Sequence, residues 1–91
     1  MFVDLSEETL TSLMRQFDPE DDMLAVRYFT LIQEKGRQVL NDTEIPKGYL
    51  PSKVQVVLRP YLKPLGYRFG YRIKGGEMLW GFCKSKERKT A

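Results

Sequence analysis

Apolar residues recur at helical spacing from the start of the chain. In DLSEETLTSLMRQF, Leu10, Leu13, Met14 and Phe17 fall at i, i+3, i+4 and i+7, one stripe of an amphipathic helix. Ser6 stands where its hydroxyl can cap the helix, and Glu7 and Glu8 suit the positive end of the helix dipole. Leu5 and Leu10 are spaced for a hydrophobic staple across that cap.

The stretch DPEDDMLAVRYFTLIQEKGRQVLN predicts a second helix, with Asp18 as cap, Pro19 at the first helical position and three further acids after it. At ~100° per residue, Leu24, Ala25, Tyr28, Phe29, Leu31, Ile32, Val39 and Leu40 cover about half the circumference. Arg27, Thr30, Glu34, Arg37 and Gln38 lie opposite, so the helix is expected to be central and touched on two sides. Gly36 falls inside the apolar arc, where it either admits a close neighbour or ends the helix early. The stretch numbered 41–51, NDTEIPKGYLP, reads as a surface connector with Tyr49 and Leu50 turned back onto the core.

SKVQVVLRPYLKPLG carries two patterns. Ser52 with Gln55 matches a capping box, and Val54, Val57, Leu58, Tyr61, Leu62 and Leu65 form one narrow helical face. Pro60 removes an interior hydrogen bond, and the valine-rich start also suits a strand. The reading adopted is a helix over 52–59, kinked or restarted at Pro60 and ended by Gly66.

GYRFGYRIK and EMLWGFCKS flank Gly75 and Gly76, a pair suited to a two-residue hairpin turn. Closing the hairpin there pairs Ile73 with Met78, Tyr71 with Trp80 and Phe69 with Phe82, all on one apolar face predicted to be core. The other face receives Lys74 opposite Glu77, Arg72 opposite Leu79, Gly70 opposite Gly81 and Arg68 opposite Cys83. The facing glycines predict a bare patch, rimmed by Arg68 and Arg72, that another backbone can approach.

These elements predict a single α+β domain over 1–91, with three helices packed on the aromatic face of a C-terminal antiparallel β-hairpin. Three helices followed by a basic hairpin resemble a winged helix in element order. Two features depart from it: a connector of eleven residues before the third helix, and prolines within that helix.

Composition narrows the function classes. The 91 residues allow one core, and no apolar run approaches the ~18 residues of a membrane span. No basic-then-apolar leader opens the sequence, and Cys83 is the only cysteine, which together point to a reducing, cytoplasmic setting. The chain has no histidine, which removes the commonest general base and transition-metal ligand, and Cys83 has no evident activating partner. A non-enzymatic binding protein without cofactor or metal is the expectation. The run Asp18, Glu20, Asp21 and Asp22 is read as helix-start chemistry, since it lacks calcium-loop spacing. No phosphate-loop spacing surrounds Gly75 and Gly76.

Charge changes the picture most. Residues 1–44 hold ten acids and four bases, a net −6, whereas residues 45–91 hold eleven bases and two acids, a net +9. The chain thus divides into an acidic helical part over 1–44, a basic helix and hairpin over 45–85, and a basic tail over 86–91, with fraying predicted from Lys84 onward. Such a dipole steers anionic partners to one side. In a winged-helix arrangement Lys53, Gln55, Arg59 and Lys63 would enter a DNA groove, and Arg68, Arg72 and Lys74 would touch phosphate. Lys84, Lys86, Arg88 and Lys89 would extend the track.

Nucleic acid is therefore the first expected partner. The alternative is a regulator or inhibitor that docks on an acidic protein surface through the hairpin and residues 58–66, with Arg and Tyr as anchors. The plain reading of Arg68, Arg72 and Lys74 is a solvated outer face. For Tyr49, Tyr61 and Tyr67 it is a place in or beside the core rather than stacking on bases.

Overall fold

In the computed structural model, which describes residues 1–85, helices precede a hairpin within an α+β fold. The elements are β1 (Phe2–Val3), α1 (Glu7–Gln16), α2 (Met23–Lys35), β2 (Leu40–Asn41), α3 (Pro51–Leu62), β3 (Tyr67–Lys74) and β4 (Glu77–Lys84). Short 3-10 turns follow β2 at Asp42–Glu44 and α3 at Lys63–Leu65.

The hairpin forms in the register its side chains demand. Phe69 pairs with Phe82, Tyr71 with Trp80, Gly70 with Gly81 and Arg68 with Cys83. A slip of one residue would turn the aromatic set outward, so burial selects this pairing. Phe69, Trp80 and Phe82 are fully buried against Tyr28 and Phe29 of α2. The Tyr28 ring stacks on Trp80 at 5.8 Å and meets Phe69 edge-on at 5.3 Å, while Phe29 meets Phe82 at 5.7 Å. Each such pair adds about 0.5–1.5 kcal/mol beyond the burial itself. The apolar face does not stay covered to the turn: Met78 is half-buried and Tyr71 and Ile73 are exposed.

β4 is the central strand of a four-stranded antiparallel sheet. β3 lies along one edge, and the other edge is shared by two short strands invisible to pattern reading. Phe2 and Val3 pair with Cys83 and Phe82, then Leu40 and Asn41 take over at Trp80 and Leu79. Gln38 holds the changeover. Its Oε1 accepts from the Leu5 N–H and its Nε2 donates to the Leu5 carbonyl, both at 2.8 Å, so the side chain imitates a strand partner.

Helix boundaries differ from the periodicity in α2 and α3. α1 begins at Ser6 as expected, with the Ser6 hydroxyl accepting from the Thr9 N–H. α2, however, starts at Met23 rather than at Pro19. Asp18 does cap, accepting from the N–H groups of Glu20 and Asp21, which holds its carboxyl below the ordinary range. The turn it caps is broken from α2 at Asp22, whose φ of −111° and ψ of 31° leave helical geometry. The Asp22 carboxylate instead accepts from the Asp18 N–H and the Tyr61 hydroxyl. α2 ends at Gly36, in the left-handed region at φ 74°, so Val39 and Leu40 lie outside the helix and fully buried Leu40 serves β2.

α3 begins at Pro51 with Leu50 as its cap, and the Ser52–Gln55 capping box does not form. Leu50 is exposed rather than tucked onto the core, unlike half-buried Tyr49. The helix runs through Pro60 to Leu62 before tightening into the 3-10 turn and stopping at left-handed Gly66. Pro60 forfeits the bond to the Val56 carbonyl, but both residues are exposed, so the loss falls on the face that water can reach.

Tyr28 Oη and Trp80 Nε1 are buried without a hydrogen-bond partner among the described residues. Tyr28→Phe is expected to stabilise the fold by about 1 kcal/mol in urea denaturation, since it deletes an unsatisfied hydroxyl. Burial also raises the Tyr28 pKa above its ordinary 10.0. The folded state therefore holds that proton more tightly than the unfolded chain does, so this contribution is intact below pH 10 and falls as pH rises further. Tyr28→Phe should accordingly blunt alkaline unfolding. Gln38→Ala strands both backbone groups of Leu5 and is expected to cost about 1–3 kcal/mol in the same assay.

Candidate functional site

α3 and β3 run side by side in opposite directions because Lys63–Leu65 and Gly66 reverse the chain between them. Gln55 fastens the helix to the strand by donating from Nε2 to the Phe69 carbonyl at 3.1 Å. One helical turn further on, Arg59 and then Lys63 reach the start of β3. A cleft of about 290 Å³ opens there, lined by Gln55, Arg59, Lys63, Tyr67, Arg68, Phe69 and Ser85. Among the described residues, three cations line it and no carboxylate does. The one ion pair among the described residues is Arg37 with Glu44, so Arg59, Lys63 and Arg68 are not neutralised within the described chain.

An acidic turn meets α3 on its other flank. Asp22 is bonded to Tyr61, and Tyr61 follows Arg59 by two residues, about 200° around the helix. That bond also raises the Tyr61 pKa, and Tyr61 packs edge-on against Phe17 at 4.9 Å. α3 thus separates the acidic turn from the cationic cleft.

The nine residues singled out from the sequence divide. Arg59, Lys63 and Arg68 converge on the cleft. Gln55 joins them, but its amide is committed to Phe69, so it anchors the helix and is not free to read a base. Lys53 is exposed near the start of α3, about 120° around the helix from Arg59. Lys84 is exposed at the end of β4 opposite Tyr67, beside the cleft, and the chain passes Ser85 on its lip. Lys86, like Arg88 and Lys89, lies outside the described residues. Lys74 is exposed at the hairpin tip and faces Glu77, whose carboxylate accepts from Asn41 Nδ2 at 2.9 Å.

Arg72 has a different neighbour. The expected bare patch at Gly70 and Gly81 is filled by the chain itself. A Cβ on Gly81 would meet the Phe2 ring at 2.9 Å, and one on Gly70 would meet Cys83 Sγ at 3.3 Å and Arg68 Nη1 at 3.6 Å. The Phe2 ring therefore lies on Gly81, and the Arg72 guanidinium sits 5.8 Å from its centroid, within cation–π reach. β1 brings Phe2 there, which is why reading the hairpin alone left the patch open. Tyr67 is half-buried and lines the cleft, while Tyr61 is engaged with Asp22 and Phe17.

No group of acids, cysteine or histidine able to hold a metal ion occurs among the described residues, and no described helix is long and apolar enough to cross a membrane. Comparison with protein families, with curated proteins and with solved structures finds no match to this chain.

Phe2→Ala is expected to cost about 1–2 kcal/mol by uncovering the glycine trough. A double-mutant cycle of Phe2→Ala with Arg72→Ala should return a coupling of about 0.5–1 kcal/mol in thermal or urea unfolding. Additive effects would show that the ring and the guanidinium do not interact.

Proposed function

We propose that this chain is a non-enzymatic nucleic-acid-binding protein that grips phosphate through its basic C-terminal half. One observation carries the reading: Arg59, Lys63 and Arg68, from three successive elements, line a single cleft that no carboxylate of the described residues enters. Guanidinium forks and an ammonium are the groups that pair with phosphate oxygens. Half-buried Tyr67 adds a ring on which a base can stack, and Lys84 extends the positive track beside it. The sequence beyond Ser85 supplies Lys86, Arg88 and Lys89 against a single Glu87.

The binding mode follows from the same positions. The Gln55 amide is spent on Phe69, and the outer face of α3 presents Val56 and Pro60 between its cations. That face offers little to a base edge, so recognition runs through the backbone and is weakly sequence-dependent. The acidic turn at Asp18–Asp22, on the far flank of α3, orients the approach by repelling phosphate from that side.

Binding to random duplex DNA should weaken linearly on a log–log plot against salt, with a slope of about −0.9 per phosphate contacted. Replacing Arg59, Lys63 and Arg68 together with Ala should flatten that slope by about two to three units while the melting temperature holds. Arg72→Ala, beside Phe2, should alter the slope by less than about one unit. Failure to bind duplex or single strands at low salt would overturn the reading.

A further inference from the structure

The outer edge of β3 carries a second surface, distinct in position from the cleft. Both edges of β4 are occupied, and β1 and β2 are two residues each, so β3 presents the one long free edge among the described residues. Lys74 and Glu77 flank the two-residue turn as a hydrogen-bonded pair. Alternation then directs the N–H and C=O groups of Arg72, Gly70 and Arg68 toward β4, and those of Ile73, Tyr71 and Phe69 outward. The Gln55 bond to the Phe69 carbonyl agrees with that assignment and closes this part of the edge. Beyond it, at Tyr71 and Ile73, no described backbone or side-chain group pairs with the edge.

The side chains there are unusual for a solvated edge. Tyr71 is 42% exposed and Ile73 74% exposed. The antiparallel course of α3 directs its first turn, and 52%-exposed Leu50 before it, toward the same end of β3. Unpaired backbone beside exposed apolar side chains is the arrangement onto which an extended segment adds as a further strand.

Charge decides what kind of segment. Arg68, Arg72 and Lys74 line one face of β3, and the strand contains no acid. A second copy is disfavoured: antiparallel pairing centred on Arg72 sets Arg72 against itself, on Gly70 sets Arg68 against Arg72, and on Tyr71 sets Arg68 against Lys74. The chain's own stretch beyond Ser85, with three cations to one carboxylate, is mismatched for the same reason.

We infer that the Tyr71–Ile73 edge docks an extended, acidic segment of a partner protein, which adds to the sheet as a fifth strand. Its main chain pairs with Tyr71 and Ile73. Alternate carboxylates face Arg72 and its neighbours, and the intervening apolar side chains cover Tyr71, Ile73 and Leu50. The cations that prevent self-pairing thereby select the partner. This inference does not use the cleft and stands apart from the nucleic-acid reading.

The probe is a short peptide alternating Glu and Val, capped at both ends, titrated into the full chain while amide hydrogen exchange is followed by NMR. Saturation is expected to slow exchange at Tyr71 and Ile73 by about tenfold or more, and a Lys/Val counterpart to bind about tenfold more weakly. Ile73→Asp should weaken the Glu/Val peptide by about tenfold with an unchanged melting temperature. If that variant is destabilised, Ile73→Thr keeps strand preference and should weaken binding several-fold. A chain ending at Ser85 should bind as the full chain does.

Unchanged exchange at both amides with about 1 mM peptide overturns the inference. So does equal affinity for the two peptides, or undiminished binding by both Ile73 variants. Protection that grows with the concentration of the chain alone would assign the edge to self-association instead. Protection of the same amides by oligothymidylate but not by peptide would assign it to nucleic acid.

Discussion

The packing of Phe69, Trp80 and Phe82 onto Tyr28 and Phe29 is the contact on which the remaining architecture depends. Five aromatic rings meet at the interface between one helix and one hairpin, and they sit in each other's way unless the register is right. The hairpin cannot slip without exposing three rings, and α2 cannot rotate without withdrawing Tyr28 and Phe29 from between them. Because interiors are packed at close to crystal density, this is a positional constraint as well as a source of stability. Its cost is also visible. A tyrosine hydroxyl and an indole N–H are enclosed with no described partner, so the rings are held by shape and burial despite two polar groups that burial penalises.

Once β4 is fixed, its second edge must be covered, and the chain does so with fragments. Neither β1 nor β2 is long enough to be stable alone. They share the edge end to end, joined through the Gln38 amide, which behaves toward Leu5 as a piece of backbone. The same device places Phe2 on Gly81. A two-residue strand thus sets the outer surface of the sheet, converting a glycine trough into a ring flanked by Arg72. What looked like room for a partner is occupied by the first residues of the chain.

α3 organises the charge. Residues on its two flanks, only two positions apart in sequence, face opposite environments: Tyr61 is bonded into the acidic turn, and Arg59 is turned to the cleft. Among the described residues, acidic and basic parts of the chain meet along this helix, and no carboxylate lines the cleft. Its antiparallel course beside β3 has a second effect. Gln55 closes the strand edge at Phe69 and leaves Tyr71 and Ile73 open, so one helix both completes the cationic cleft and bounds the free edge.

Local periods were legible in the sequence. Two-residue alternation about Gly75 and Gly76 determined the hairpin and its full register, because a slip would invert every side chain. Helical spacing with Ser6 determined α1, and the charge division put every candidate cation of the cleft in the second half. The α+β class follows from those periods. What the sequence could not determine were outcomes that depend on distant neighbours. Leu40 has helical spacing with Ile32 and Phe29, yet Gly36 at positive φ ends α2 and sends it to β4. Gln55 reads as a cap or a base-reading side chain until Phe69 lies beside it. Phe2 carries no periodic signal, and its place on Gly81 exists only after β1 has found β4. Arg59, Lys63 and Arg68 were nameable in advance, but their convergence, with no acid of the described residues among them, depends on the course of α3 against β3. The physical reason is the same in each case: alternation and helical spacing act between near neighbours, whereas an edge, a cleft or a covered glycine is made by segments whose meeting no local pattern encodes.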